Sequence, residues 1–193
     1  MAKTRTVAVI VGSLRKESFS RKLAHAIAAV APTNLKFDVV DIGGLELFDQ
    51  DLEPTPTAAW TAFRDRVRAA DAVLFVTPEY NRGLPGSLKN AIDVGSRPYG
   101  QSVFNGKPAA VVGNSPGAMG GFGAANQLRQ SLVFLNMPTL NQPEAYVGHV
   151  ATLFDETGEL INEGTREFLT GFVRTLADWI DANLADTQLV AAR

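Results

Sequence analysis

Residues 12–20, Gly12-Ser13-Leu14-Arg15-Lys16-Glu17-Ser18-Phe19-Ser20, place three hydroxyls and two cations within nine positions. They stand between an apolar run that reads as a strand and a pattern that reads as a helix. A helix start offers free backbone N–H groups and the positive end of a dipole, so this segment can bind a phosphate monoester. The plainer alternative is a polar helix cap with solvated charges. Other phosphate loops do not fit. The segment has no G-x-G-x-x-G, and G-x-x-x-x-G-K-[ST] occurs nowhere, because Gly106-Lys107 is followed by Pro108.

A second segment, Thr77-Pro78-Glu79-Tyr80-Asn81-Arg82-Gly83-Leu84-Pro85-Gly86, is stiffened by two prolines, while Gly83 and Gly86 permit close backbone approach. Tyr80 can lie against a flat ring. A hydroxyl-rich loop for a terminal phosphate and a rigid shelf for a ring together suit FMN better than an adenosine dinucleotide or an Mg-nucleoside triphosphate. A proline-braced turn is the alternative for the shelf.

A third segment, Gly113-Asn114-Ser115-Pro116-Gly117, matches the G-x-S-x-G elbow of serine hydrolases. Pro116 opposes that chemistry. The oxyanion hole uses the N–H of the residue after the nucleophile, and losing one such donor costs about 2.7–4 kcal/mol. His149 would be the only downstream base and Glu144 the only acid between it and Ser115. Asp155-Glu156-Thr157-Gly158-Glu159 lacks the alternating oxygen ligands of a calcium loop and reads as a solvated turn. His25, amid alanines, reads as a surface or partly packed histidine. Arg64, Arg66 and Arg68 read as a solvated helix face.

These segments need elements to hold them. Strands are expected over 5–11, 35–42, 72–77 and 108–113, with a shorter fifth within 139–146. Helices are expected after Ser20 up to Pro32, after Thr55 (a cap, with Pro56 at the first helical position), over 84–94, over 126–135, and over 168–180 with a frayed tail at 185–193. Buried strands alternating with helices imply a parallel sheet covered on both faces, in Rossmann-like or flavodoxin-like order. Ligands then sit beyond the carboxyl ends of the strands, at residues 12–20, 43–54, 78–83 and 114–123.

The 193 residues fit one domain. A formal charge of −2 provides no basic footprint for nucleic acid, and no stretch approaches the ~20 apolar residues that span a bilayer. The chain has no cysteine, which excludes disulfides and thiolate catalysis, and only two histidines, which argues against zinc chemistry. The start runs straight into a strand-like segment, unlike a signal peptide, so the cytoplasm is the expected location.

The run PEYN-x-x-x-PG-x-LKNAID, residues 78–93, resembles the signature of the NADPH-dependent FMN reductase family. GSLRKESFS is similar to that family's phosphate loop, and Asn114-Ser115-Pro116-Gly117 resembles its third flavin-contacting loop. Arg97-Pro98-Tyr99-Gly100-Gln101 is similar to the bacterial NAD(P)H:acceptor reductases of the group. The likeness runs over roughly residues 5–182. It implies a flavodoxin-like α/β three-layer sandwich, with a five-stranded parallel sheet in order 2-1-3-4-5 and helices on both faces. It implies that Ser13, Arg15, Ser18, Phe19 and Ser20 surround the FMN phosphate and ribityl chain. Pro78, Glu79, Tyr80 and Asn81 would line the isoalloxazine, and Ser115, Pro116 and Gly117 would meet its pyrimidine edge or the ribityl. The activity implied is ping-pong: hydride passes from NADH or NADPH to flavin N5, and two electrons then reduce a quinone, or chromate, an azo dye, a ferric chelate or free flavin. No side chain need act as acid or base. Arg82 or Arg97 would attract the nucleotide's phosphates. The helix over 84–95, with Leu84, Leu88, Ala91 and Ile92, would meet a partner subunit or pack in the core, and Phe48–Asp51 would reach a neighbour's flavin. Several relatives carry Asn at Ser20, and many carry Tyr-Ser or Arg-Ser at Arg82-Gly83. Some carry Arg and Tyr at Gly123 and Asn126, a tetramer contact. A homodimer or a dimer of dimers is expected. The rival from another class is a flavodoxin-like electron carrier without enzymatic activity, against which the small net charge argues.

Overall fold

The computed structural model describes the backbone of residues 3–191 and the side chains of residues 3–184. Five strands, β1 (Arg5–Val11), β2 (Leu35–Val40), β3 (Ala72–Pro78), β4 (Ala109–Asn114) and β5 (Ala145–Val147), form one sheet in the order β2-β1-β3-β4-β5. Every neighbouring pair is parallel, with Val9 opposite Val39 and Leu74, and Phe75 opposite Val111. This is the flavodoxin-like order.

Side-chain alternation along the strands divides the core into two layers. Val7, Val9, Val11, Leu74, Val76, Ala110 and Val112 face α1 (Phe19–Ala29) and α5 (Glu163–Ala191), meeting Leu23, Ile27, Phe172 and Leu176. Ala8, Ile10, Val73, Phe75, Ala109 and Val111 face α2 (Ala58–Ala69), α3 (Gly86–Gly95) and α4 (Phe122–Phe134), meeting Trp60, Phe63, Leu88 and Leu128. Burial on both faces is why the inner strands β1, β3 and β4 read as apolar runs, whereas β2, LKFDVV at the sheet edge, alternates. Each fully buried side chain of this size contributes about 1.5–3 kcal/mol.

Several helix starts differ from expectation. Thr57, not Thr55, caps α2: its hydroxyl accepts from the Trp60 amide at 3.2 Å. Pro56 therefore precedes the cap. The third helix begins at Gly86, with Pro85 at its cap. The fourth begins at Phe122, a turn before the expected Asn126, after Gly120 and Gly121 at φ +59° and +78°. The fifth begins at Glu163, where the Asn162 side chain accepts from the Thr165 amide at 2.8 Å. The expected frayed tail at 185–193 lies outside the residues whose side chains are described.

Leu88, Ala91 and Ile92 are buried in this chain's own core, and Leu84 is packed against it. That stripe is core packing. Arg64 is a correction: it is 5% exposed, donates from Nε to the Val94 carbonyl at 2.9 Å and lies over the Trp60 ring at 5.3 Å. It therefore closes the carboxyl end of α3, and burial lowers its pKa. Arg66 and Arg68 do lie on the exposed face, against Asp38 and Asp65.

Tight packing of α3 supplies a test. A Cβ on Gly95 would lie 2.7 Å from Phe104 Cζ and 3.1 Å from Phe63 Cε1. Gly95→Ala is expected to lower unfolding free energy by about 1–3 kcal/mol in urea titrations, despite alanine's better helix propensity.

Candidate functional site

Three segments meet beyond the carboxyl ends of β1, β3 and β4. The first leaves β1 at Gly12, whose amide donates to the Val76 carbonyl at 2.9 Å. A Cβ there would sit 3.0 Å from Thr77 Oγ1 and 3.3 Å from Pro78 Cδ, so glycine lets the two segments close up. Ser18 caps α1, its hydroxyl accepting from the Arg21 amide at 3.2 Å. That satisfies one first-turn donor of a helix, and the amides ahead of it remain for an external acceptor. Ser13, Ser18 and Ser20 are all buried, and Arg15 and Lys16 are exposed beside them. Phe19 turns inward and packs on the α1–α5 core, with Lys22 Nζ 5.9 Å from its ring centroid.

The second segment is a two-residue hairpin. Tyr80 and Gly83 exchange both backbone hydrogen bonds at 3.0 Å, and Asn81 and Arg82 between them have φ 50° and 65°. Left-handed values at both central positions mark a type I′ turn. Asparagine tolerates that conformation and arginine does not favour it. Tyr80 is half exposed, with its hydroxyl 3.5 Å from Ser13 Oγ across the rim. Arg82 points outward, its guanidinium 3.5 Å from Glu79. The Glu79 side chain is only 10% exposed and runs elsewhere: Oε2 accepts from the amides of Gly123 at 2.7 Å and Ala124 at 3.2 Å.

The third segment follows β4. Ser115 donates from its amide to the Val147 carbonyl, and the amides of His149 and Val150 donate back to the carbonyls of Gly117 and Ser115, all at 3.1 Å. Residues 116–119 are exposed. The Ser115 hydroxyl donates to the Gly117 carbonyl at 2.9 Å, and Glu144 accepts from the Tyr146 hydroxyl at 2.8 Å. The nucleophile and acid of the hydrolase reading are thus each bound within the fold. Tyr146 keeps its proton above the usual phenol range because burial disfavours the phenolate and Glu144 accepts from the neutral hydroxyl.

A buried polar junction ties the segments together. Asn114 Nδ2 donates to Ser20 Oγ at 2.9 Å and to the Thr77 carbonyl at 3.1 Å. All three residues are at most 2% exposed. Residues 45–48 are held from α3 by Asn90, whose Oδ1 accepts from the Phe48 amide at 2.8 Å and whose Nδ2 donates to the Glu46 carbonyl at 3.1 Å. Asn90, Asn114 and Gln127, which accepts from the Leu84 amide at 2.7 Å, are organising residues that sequence reasoning did not single out for these tasks. A polar residue inside an apolar helical stripe, as Asn90 is between Leu88 and Ala91, was the available signal.

Not every expected residue joins the rim. Arg97 lies 5.9 Å from the Phe48 ring centroid and lines a groove of about 670 Å³ with Ile92, Tyr99, Phe134 and Leu135. That groove contains none of the residues of the three segments. Among the described residues, no group of three or more His, Asp or Glu could hold a metal, and Asp155 closes its own turn by accepting from Thr157 and Glu159.

The donor set fits FMN. Buried hydroxyls, first-turn amides and Arg15 suit a phosphate, and a rigid half-exposed aromatic shelf across from Ser13 suits a ring.

The comparisons agree with this chemistry. The family model described as NADPH-dependent FMN reductase matches residues 5–152. A quinone reductase of Pseudomonas putida is 57% identical over 186 residues, which are 96% of this chain and 100% of that protein. A 2-hydroxy-1,4-benzoquinone reductase of Burkholderia is 47% identical over 174 residues, 90% of this chain and 95% of that one. The solved structure of FerB, a flavoenzyme NAD(P)H:(acceptor) oxidoreductase from Paracoccus denitrificans, superposes with a TM-score of 0.88 at 42% identity, covering 93% of this chain and 99% of that one.

The junction is testable without ligand. Asn114→Leu keeps the volume but leaves the Ser20 hydroxyl buried without its partner and removes the second donor from the Thr77 carbonyl, at about 1–3 kcal/mol in all. Urea unfolding is expected to show a loss in that range. A loss below about 0.5 kcal/mol would mean the junction holds nothing together.

Proposed function

The chain belongs to the NADPH-dependent FMN reductase family, and on that premise we propose that it is an FMN-dependent oxidoreductase carrying reducing equivalents from NADH or NADPH to quinone-like small molecules. FMN, when bound, supplies the two-electron transfer between nicotinamide and acceptor. The protein supplies position and charge. Ser13, Arg15, Ser18 and the first-turn amides of α1 hold the phosphate, while Ser20 and Phe19 fix that loop from below. Pro78, Tyr80 and Asn81 form the shelf for the ring, with Glu79 within the same hairpin. Ser115, Pro116 and Gly117 present the exposed edge for the pyrimidine or ribityl. These walls would shield one side of the ring from water and leave the other open to donor and acceptor in turn.

The observation that carries the reading is the approach of the anion-binding start of α1 to the aromatic shelf, Ser13 to Tyr80, in a chain 57% identical to a quinone reductase. Arg82 is the cation proposed for the nucleotide phosphates, since Arg97 opens on the separate groove. That groove, with Tyr99 and Phe134 each 82% exposed, supports a homodimer as the working assembly, or a dimer of dimers. A small net charge speaks against nucleic acid as a partner, and no described helix is long and apolar enough to cross a membrane. A cysteine-free chain using reduced nicotinamide suits the cytoplasm.

Steady-state rates with NADPH or NADH and 1,4-benzoquinone are expected to yield parallel double-reciprocal lines, as one shared site requires. Intersecting lines would require donor and acceptor to be bound together and would contradict the single open side. Arg82→Gly separates two effects. It removes the left-handed strain, so stability is expected to hold or rise by up to about 1 kcal/mol. It also removes the cation, so KM for the nucleotide is expected to rise about 3- to 10-fold with KM for quinone unchanged. An unchanged nucleotide KM would remove Arg82 from the site.

A further inference from the structure

Glu79 lies inside the hairpin that forms the shelf, yet its carboxylate is spent on another element. Oε2 accepts from Gly123 and Ala124, the second and third residues of α4, at 2.7 and 3.2 Å. Gly121, the cap residue of that helix, has no side chain to do this, and no side-chain cap is made there. The cap comes instead from a residue more than forty positions earlier in the chain. A negative charge at a helix start is favoured by the dipole, and its hydrogen bonds to amides are charge-assisted. A second bond runs beside the first, with Gln127 of α4 accepting from the Leu84 amide at the far end of the hairpin. The hairpin is thereby held to α4 at both ends. The loop leading into α4 is the third rim segment, so this attachment also sets the distance between the shelf and the 115–121 edge.

We propose that Glu79 is a positioning residue, a latch that fixes the shelf against α4 and so controls how tightly the rim retains FMN, rather than a group that lines the ring. It has a second consequence. The positive start of α4 is occupied by an internal carboxylate, whereas that of α1 is left to an external anion. The phosphate is therefore directed to α1. This inference rests on the FMN-binding reading of the rim, and it assigns Glu79 a task that reading does not contain.

The test uses the holoenzyme and follows FMN release by the fluorescence of the free flavin, together with amide exchange. Glu79→Ala is expected to release FMN at least about tenfold faster and to lose protection at Gly123, Ala124, Tyr80 and Gly83. Glu79→Gln keeps an acceptor oxygen and is expected to stay within about threefold of the parent. Asn162→Ala removes a comparable cap from α5, and is expected to lower thermal stability without changing release. Release at the parent rate in Glu79→Ala overturns the proposal, as does equal acceleration in Asn162→Ala. Should Glu79→Ala not fold, Glu79→Asp, one methylene shorter, is expected to accelerate release, and parent-like release from it overturns the latch. If the parent itself holds no FMN, the FMN reading fails, and protection at Gly123 and Ala124 in the Glu79 variants still decides whether the latch exists.

Discussion

One buried amide sets the spacing of the rim. Asn114, at the end of β4, donates to the Ser20 hydroxyl on α1 and to the Thr77 carbonyl at the end of β3. Three segments distant in sequence meet at one side chain that water does not reach. Burying these groups would be costly without their partners, and satisfied they define a single arrangement. Everything proposed for the rim presupposes that spacing: the serines under the phosphate, the hairpin opposite them, and the exposed edge after β4.

Charge is distributed over this frame with the same economy. Helices α1 and α4 follow the first and third rim segments, and each begins with a positive end. The first is capped by Ser18, a neutral hydroxyl, and has cations beside it. The second is capped by the carboxylate of Glu79. An incoming dianion therefore meets an unsatisfied field at one helix and a neutralised one at the other. No acid, base or metal is needed at such a site. Redox chemistry belongs to the cofactor, and the chain's part is to hold a ring and a phosphate at fixed positions with one side open.

Much of this was legible in the residues. The three inner strands are dense apolar runs because both sheet faces are covered there, and the loops that follow them carry the hydroxyls, prolines and glycines in plain view. Less legible were features whose cause lies far along the chain. The start of α4 is hidden because its cap, Glu79, comes from another loop, leaving only glycines at the boundary. The start of α2 lies two residues beyond Thr55, because Thr55 and Thr57 are both acceptable caps and it is the Thr57 hydroxyl that meets the Trp60 amide. Arg64 carries the same charge as Arg66 and Arg68, but one face of a helix separates a buried guanidinium from two solvated ones. The role of Asn114 could not be seen in a G-x-S-x-G match, which draws the eye to the serine beside it.

The central claim is that the carboxyl rim of this sheet binds one FMN and anchors it through the phosphate. Equilibrium titration of the flavin-free protein with FMN and, separately, with riboflavin tests it most directly. One equivalent of FMN should bind, at least about a hundredfold more tightly than riboflavin, which lacks the anion that α1 is built to receive. Equal affinity for the two, or no saturable binding of FMN, would contradict the account.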